Sequence, residues 1–378
     1  MSREPVPLAR PVIDAREEEL VLKALRSRRL SLGPRLAEFE AAFGAWLGAD
    51  HVSAVSSGTA ALHLGVRAAG IEAGDEVVTS PFSFVASANS VLYERARPVF
   101  CDIDRRTLNI DPEAAAAAVG ERTSGLLPVH IFGYPADLPA IERLAAARGL
   151  WIVEDACEAL GARHSDGRVV GARGNPATFG FYANKQLTTG EGGVLVSSSA
   201  EMKERVDSER NQGRAPDMGW LDHDRLGFNY RLSDLACALG IAQLQRLDEM
   251  LAARARVAGL YNEALGGIEG LELPCPDSGG DRRGWFVYVV QLPPRVSRDR
   301  AVEALRARGI DSKPYLPAIH LMSFYRERFG HREGEFPVCE DVAARSLALP
   351  FFPDLDEAQV ARVTEALRQI LAARGDDI

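Results

Sequence analysis

The run Asn184-Lys185-Gln186-Leu187-Thr188-Thr189-Gly190-Glu191-Gly192-Gly193 puts a lysine in a glycine-rich turn between two short apolar segments, Thr178 to Ala183 and Val194 to Ser198. Strand ends in an α/β sheet face the ligand crevice. A lysine amine partly desolvated there is a nucleophile and a proton carrier. A surface turn lysine has the same local sequence. Among 44 basic residues, only Lys23, Lys185, Lys203 and Lys313 are lysines, so lysine chemistry has few candidates. Lys23 (EEELVLKALRS) and Lys203 (AEMKERVDSER) read as solvated helix faces. Lys313, in DSKPYLP, lies in a loop where it could meet a substrate anion.

Asp155, in Glu154-Asp155-Ala156-Cys157-Glu158, ends the apolar run Leu150 to Val153. A carboxylate there could pair with a protonated ring nitrogen, hold a metal or act as a base. Taken alone, it reads more simply as a cap or a loop ion pair. Ser56-Ser57-Gly58-Thr59 joins a strand to a helix, and the free N–H groups of a helix N-terminus suit an anion. Capping by Ser57 or Thr59 is compatible with that use. Neither a G-x-x-x-x-G-K-[ST] loop nor a G-x-G-x-x-G fingerprint is present. Phe84, in SPFSFVASAN, is a core residue or a plate for a planar ligand. In chain order these are an anion cradle, an aromatic plate, a carboxylate and a lysine, the parts that a pyridoxal phosphate site uses.

Those residues need a sheet to hold them. Apolar runs at His51 to Ser56, Glu76 to Ser80, Pro98 to Ile103, Leu126 to Phe132 and Leu150 to Glu154 alternate with helical periods at 58–69, 85–93, 112–119 and 138–148. That order predicts a largely parallel sheet with helices on both faces. A long helical stretch follows from Ser233, as cap, to about Ala264, with Leu235, Leu239, Leu244 and Leu247 on one face. The Gly-, Pro- and Asp-rich stretch Gly266 to Gly284 marks a change of pattern. Beyond it a strand (285–291), a helix (298–308), a proline-punctuated loop (313–320) and a last helix from Asp356 predict a small α+β domain. The partition drawn is an N-terminal arm and large domain over 1–250 and a small domain over 251–378.

Composition removes other classes. With 378 residues, 46% of them hydrophobic and 26% charged, the chain reads as a soluble globular protein. A net charge of -9 argues against nucleic acid as a partner. No apolar run approaches the ~20 residues of a membrane span, and MSREPVPLAR lacks the apolar core of a signal peptide. Cys101, Cys157, Cys237, Cys275 and Cys339 are odd in number and scattered, so a disulfide framework and a thiolate metal site are not expected. No metal is expected, and the cytoplasm is the expected compartment.

The same residues, in the same order, resemble the DegT/DnrJ/EryC1/StrS family of pyridoxal-phosphate-dependent sugar aminotransferases. The resemblance covers essentially the whole chain, from EEELVLKALRSRRLSLGPRLAEFEAAF and SSGTAALHL through PFSFVASAN, VHIFGYPAD, EDACEALGA, FGFYANKQLTTGEGGVLVS and LGFNYRLSDLACALGIAQL to KPYLPAIH and LALPFFPDL. It implies the fold type I, aspartate aminotransferase-like architecture: a large α/β domain on a mostly parallel seven-stranded sheet, and a smaller C-terminal α+β domain. It implies that Lys185 carries the cofactor and moves a proton, that Asp155 pairs with the ring nitrogen, and that Phe84 stacks on the ring. Gly58 and Thr59 would bind the phosphate, with Asn229 reaching it across a homodimer interface. Lys313, Tyr315 and His320 would lie near a nucleotide-linked keto-sugar, and L-glutamate would be the amino donor of a ping-pong reaction. Two departures stand out. Glu158, near the ring oxygen, replaces a more usual Gln or His, and Gly180 replaces a phosphate-binding Ser five residues before the lysine. Members that dehydrate rather than transaminate carry His in place of Lys185. A keto-cyclitol acceptor and a non-catalytic cofactor-binding regulator are the competing readings.

Overall fold

The computed structural model describes residues 4–215 and 222–373. Most of the apolar runs become short strands buried along their length: β1 Val52–Val55, β2 Glu76–Thr79, β3 Arg97–Phe100, β4 Thr123–Leu127, β5 Trp151–Ile152, β6 Glu154–Asp155, β7 Ala177–Gly180 and β8 Gly193–Val196. They form two four-stranded sheets in the orders β3-β2-β4-β5 and β1-β8-β7-β6. Only Val153 separates β5 from β6, and a parallel bridge between Val129 and Asp155 carries the pairing across. Counted as one strand, β5 and β6 join the halves into the expected seven-stranded sheet. Its pairings are parallel except that β8 runs antiparallel to both β1 and β7.

Both faces are covered, which explains why the strands read as continuous apolar runs rather than alternating ones. Phe39, Phe43, Phe179 and Phe181 interlock on one face, with ring centroids 5.4–6.2 Å apart. Leu64, Leu195, Met202 and Val206 pack on the other. The predicted strand Leu126 to Phe132 stops early, at Leu127. Pro128 has no N–H to continue a ladder, and Ile131–Gly133 forms a turn of 3-10 helix instead.

The long helical stretch is two helices, Asp234–Gln245 and Leu247–Leu265, with Arg246 at the break. The predicted leucine face also needs correction. Leu235 and Leu239 are only half-buried, and Cys237, Ala238, Gly240 and Ala242 point inward. The reason is the close approach of the helix Pro34–Leu47: a Cβ on Gly240 would stand 2.7 Å from the Phe39 ring. Small residues must therefore face it, which turns Leu235 and Leu239 aside, while Leu244 and Leu247 are buried in the core as expected.

The helix Leu247–Leu265 runs through two cores. Leu247 and Met250 pack with the phenylalanines, while Val257, Ala258, Tyr261 and Leu265 pack in the small-domain core. That core covers the antiparallel sheet β10-β11-β9, made of β9 Tyr288–Gln291, β10 Lys313–Pro314 and β11 Ser346–Leu349. Val6, from the N-terminal arm, pairs with Ile310 and is buried in the small-domain core rather than the large one.

Phe43 is fully buried and touches three other rings of the cluster and Trp46. Phe43→Ala is expected to lower unfolding stability by about 3–5 kcal/mol, read as a reduced urea midpoint. A midpoint within error of wild type would mean that the cluster does not carry the large-domain core.

Candidate active site

The strand ends converge on one cavity of about 500 Å³, and Gly58, Thr59, Phe84, Asp155, Glu158, Lys185 and Tyr315 all line it. At its anion end, Ser57 caps the helix Gly58–Ala68 with its hydroxyl on the Ala60 N–H, and its carbonyl takes the Ala61 N–H. The first-turn N–H groups of Gly58 and Thr59 are left for a ligand. Packing favours glycine at 58, since a Cβ there would lie a tight 3.0 Å from Cys157 Sγ and 3.1 Å from the Gly180 Cα. At Gly180, by contrast, a Cβ would meet Cys157 at 3.4 Å, an ordinary contact, so a serine would fit. Steric demand does not explain that departure.

At the ring end, Asp155 is buried at the C-terminal tip of β6. One carboxylate oxygen accepts the Cys157 N–H at 3.1 Å and the other accepts the Ser87 hydroxyl at 2.6 Å. The Ser83 hydroxyl lies 2.7 Å from that of Ser87. Phe84, between these serines, leaves its ring 61% exposed on the cavity, an unusual state for a phenylalanine that a stacked ligand would cover.

Lys185 rides the connection from β7 to β8, its N–H bonded to the Tyr182 carbonyl at 2.9 Å. Its Nζ lies 3.6 Å from Glu158 Oε1 and 3.8 Å from the centroid of the Phe286 ring. Glu158 is buried, and its other oxygen accepts the Phe132 N–H at 3.0 Å. Burial pushes this carboxyl above its ordinary value; the Lys185 ammonium and the Phe132 N–H pull the other way. Burial also holds the Tyr315 phenol well above its usual range, with the Glu158 charge adding to the effect. The side-chain oxygen of Asn184, next to the lysine, is buried without a partner. An anion cradle, an exposed flat ring, a hydrogen-bonded carboxylate and an amine on one cavity fit pyridoxal phosphate.

Three expected residues stand apart from this wall. Asn229 is exposed, as is Lys313 on β10. His320 is fully buried instead of facing the cavity: its Nε2 meets Glu340 at 3.0 Å and its ring packs on Phe336. One ring nitrogen thus has a carboxylate partner, while Nδ1 is buried without one, and the residue is not part of the cavity wall. Three residues that the sequence reading did not single out belong to the site or its support. The spacing Ser83-x-x-x-Ser87 beside Phe84 is a usable signal for Ser87. Phe286 and Arg254 carry none, because they meet Lys185 only through the tertiary fold.

Comparisons with known proteins place the chain among aminotransferases. Residues 11–368 match the DegT/DnrJ/EryC1/StrS aminotransferase family. The chain is 36% identical over 379 residues to the spore coat polysaccharide biosynthesis protein SpsC of Bacillus subtilis (strain 168), covering 97% of each chain. It is 36% identical over 369 residues to the GDP-perosamine synthase of Caulobacter vibrioides, covering 97% of this chain and 98% of that one. The crystal structure of S. venezuelae DesV matches with a TM-score of 0.91 at 34% identity, over 98% of this chain and 100% of that one.

Ser87→Ala removes one of the two donors on Asp155. A charge-assisted hydrogen bond of about 1.5–3 kcal/mol predicts roughly tenfold weaker or worse binding of pyridoxal phosphate by equilibrium titration, with Ser87→Thr close to wild type. Unchanged affinity in the alanine variant would remove Ser87 from the site. A second expectation concerns Glu158. A carboxyl raised in the fold above 4.5 binds its proton more tightly folded than unfolded, so it costs stability as pH rises through that window. Glu158→Gln has no such proton. The stability of the cofactor-free variant relative to wild type, from urea unfolding, should therefore increase as pH is raised past 4.5. A relative stability that falls with pH would contradict a raised carboxyl.

Proposed function

The chain belongs to the DegT/DnrJ/EryC1/StrS aminotransferase family and is a pyridoxal-phosphate-dependent aminotransferase, and from that premise we propose that it moves the amino group of L-glutamate onto a nucleotide-linked keto-sugar. The observation that carries the reading is the meeting of Lys185 Nζ, the Asp155 carboxylate and the free N–H groups of Gly58 and Thr59 on one cavity. The named activity of GDP-perosamine synthase and the polysaccharide role in the name of SpsC support a sugar acceptor.

Bound pyridoxal phosphate supplies an electron sink that eases removal of a proton from the carbon bearing the amino group. The protein's residues then have separate tasks. Gly58 and Thr59 hold the phosphate, Phe84 covers the ring face and Asp155 holds the ring nitrogen. Lys185 Nζ would take the proton from the carbon bearing the amino group and return it to the cofactor carbon on the other side of that nitrogen, with Glu158 and Phe286 fixing where Nζ sits. Tyr315 lines the acceptor's side of the cavity, and Lys313, exposed on β10, is available to a diphosphate beyond it. In a ping-pong cycle 2-oxoglutarate leaves before the keto-sugar enters, so both substrates use one cavity in turn.

The site is completed in a homodimer by Asn229 of the partner subunit. Support comes from this chain's own Asn229, which is exposed and does not line its own cavity, and from the exposed Leu226, which a subunit contact would cover. A cytoplasmic location accords with five free cysteines. Among the described residues, no helix is long and apolar enough to cross a membrane.

Mixing the cofactor-loaded enzyme with L-glutamate and no acceptor should release 2-oxoglutarate in proportion to active sites and change the visible spectrum of the bound cofactor. Lys185→Ala should slow this release by at least about a thousandfold. Release only when an acceptor is present would exclude the ping-pong order. No release with glutamate under any condition would exclude glutamate and favour another donor or a regulator. With glutamate established, weak binding of every nucleoside diphosphate tested would favour a free keto-cyclitol as acceptor. A stable, active 41 kDa monomer on gel filtration would exclude the shared site.

A further inference from the structure

Arg254 is a buried cation in an unusual setting. It lies on the helix Leu247–Leu265, between the residues that pack in the large-domain core and those that pack in the small-domain core. It is 2% exposed. Burial lowers its pKa to about 10, so it remains charged at neutral pH. Among the described residues no carboxylate pairs with it; its Nε has no hydrogen-bond partner, and its guanidinium carbon stands 5.7 Å from the centroid of the Phe351 ring. Its two terminal nitrogens donate to backbone carbonyls from different parts of the molecule, to Phe286 at 3.0 Å and to Lys185 at 3.2 Å.

Burying a guanidinium without a counter-charge is costly, and a methionine or leucine would fill the same space more cheaply. The Phe351 ring offsets part of that cost, but only the two carbonyls use the guanidinium's donors. One belongs to the loop that carries the Lys185 amine, and the other to the residue whose ring faces that amine at 3.8 Å. Gln186 ties the same two segments, its amide nitrogen donating to the Glu158 carbonyl at 2.7 Å and to the Gly284 carbonyl at 3.1 Å. Phe286 is itself fully buried and has little room to follow a displaced lysine.

We propose that Arg254 is a positioning residue for Lys185, a clip that holds the loop bearing the amine against the Phe286 ring at the junction of the two domains. The proposal rests on Lys185 being the residue that bonds the cofactor. It assigns to a side chain outside the cavity the placement of Nζ relative to Phe286 and Glu158. A role confined to joining the domains would lower stability and leave the reactivity of the folded protein's amine unchanged.

The test is the rate at which the full-length protein, stripped of cofactor, captures pyridoxal phosphate covalently, trapped with borohydride and mapped by peptide mass spectrometry. Arg254→Met removes both donors and the buried charge while keeping an unbranched, flexible side chain of similar bulk. Small misplacements of a reacting group cost large factors in rate, so capture at Lys185 should slow by at least about tenfold. Arg254→Lys, which keeps a donor and the charge, should recover part of the rate. Wild-type capture by a folded Arg254→Met overturns the proposal. If that variant does not fold, Phe286→Leu decides: slowed capture supports the clip, and wild-type capture refutes it. The Lys185→Ala control separates the two levels. Undiminished capture there defeats the assignment of Lys185 itself, whereas abolished capture beside a wild-type rate in Arg254→Met defeats the clip alone.

Discussion

After β7 the chain must reverse. Inserting one antiparallel strand, β8, between two strands that run the other way forces the connection Phe181 to Gly192 to fold over the strand ends, where the sheet opens to ligand. The loop is held at its base by the Phe181 N–H on the Gly192 carbonyl at 2.8 Å and the Thr189 N–H on the Phe181 carbonyl at 3.0 Å. Lys185, at its far side, therefore overhangs the C-terminal tip of β6 and the start of the helix after β1. The amine, the carboxylate and the anion cradle come from separate parts of the sequence, and this reversal brings them to one place.

Electrostatics inside that space works through specific partners. Asp155 has a hydrogen-bond donor on each oxygen, and Glu158 divides its oxygens between a backbone N–H and the lysine. Arg254, behind the wall, is stabilised by carbonyl dipoles and faces no carboxylate. Polar groups at low dielectric are expensive unless satisfied, and once satisfied they are stiff. The same property that makes the site costly to bury makes it able to hold an amine in one position. Phe84 is the exception. Its ring is left uncovered, which suits a surface that meets a planar ligand and gains its contacts only then.

Much of this was open to a reader of the sequence. Strand–helix alternation is a local property, since apolar runs and helical periods are set by neighbours a few residues apart. Ser57 is the cap because a serine before a helix satisfies its first N–H groups wherever the helix packs. Lys185 stood out because the chain has few lysines and only one in a glycine turn between strands, and Asp155 because it ends an apolar run. His320 shows the limit of this reasoning. Its sequence neighbours resemble a substrate segment, yet the fold buries it against Phe336 and Glu340, away from the cavity wall.

The sequence by itself therefore determined most of the elements that carry the site, their order and the chemical kinds of residue at the strand ends, because each depends on short-range periodicity, capping and turn chemistry. Tertiary structure alone decided which of those residues meet. Ser87 reaches Asp155 across 68 positions of chain and Arg254 reaches Lys185 across 69. Such pairings follow from sheet order and helix packing, which no local pattern records. The face of the helix Asp234–Gln245 was settled in the same way, by the approach of Phe39 to Gly240 rather than by the spacing of its leucines.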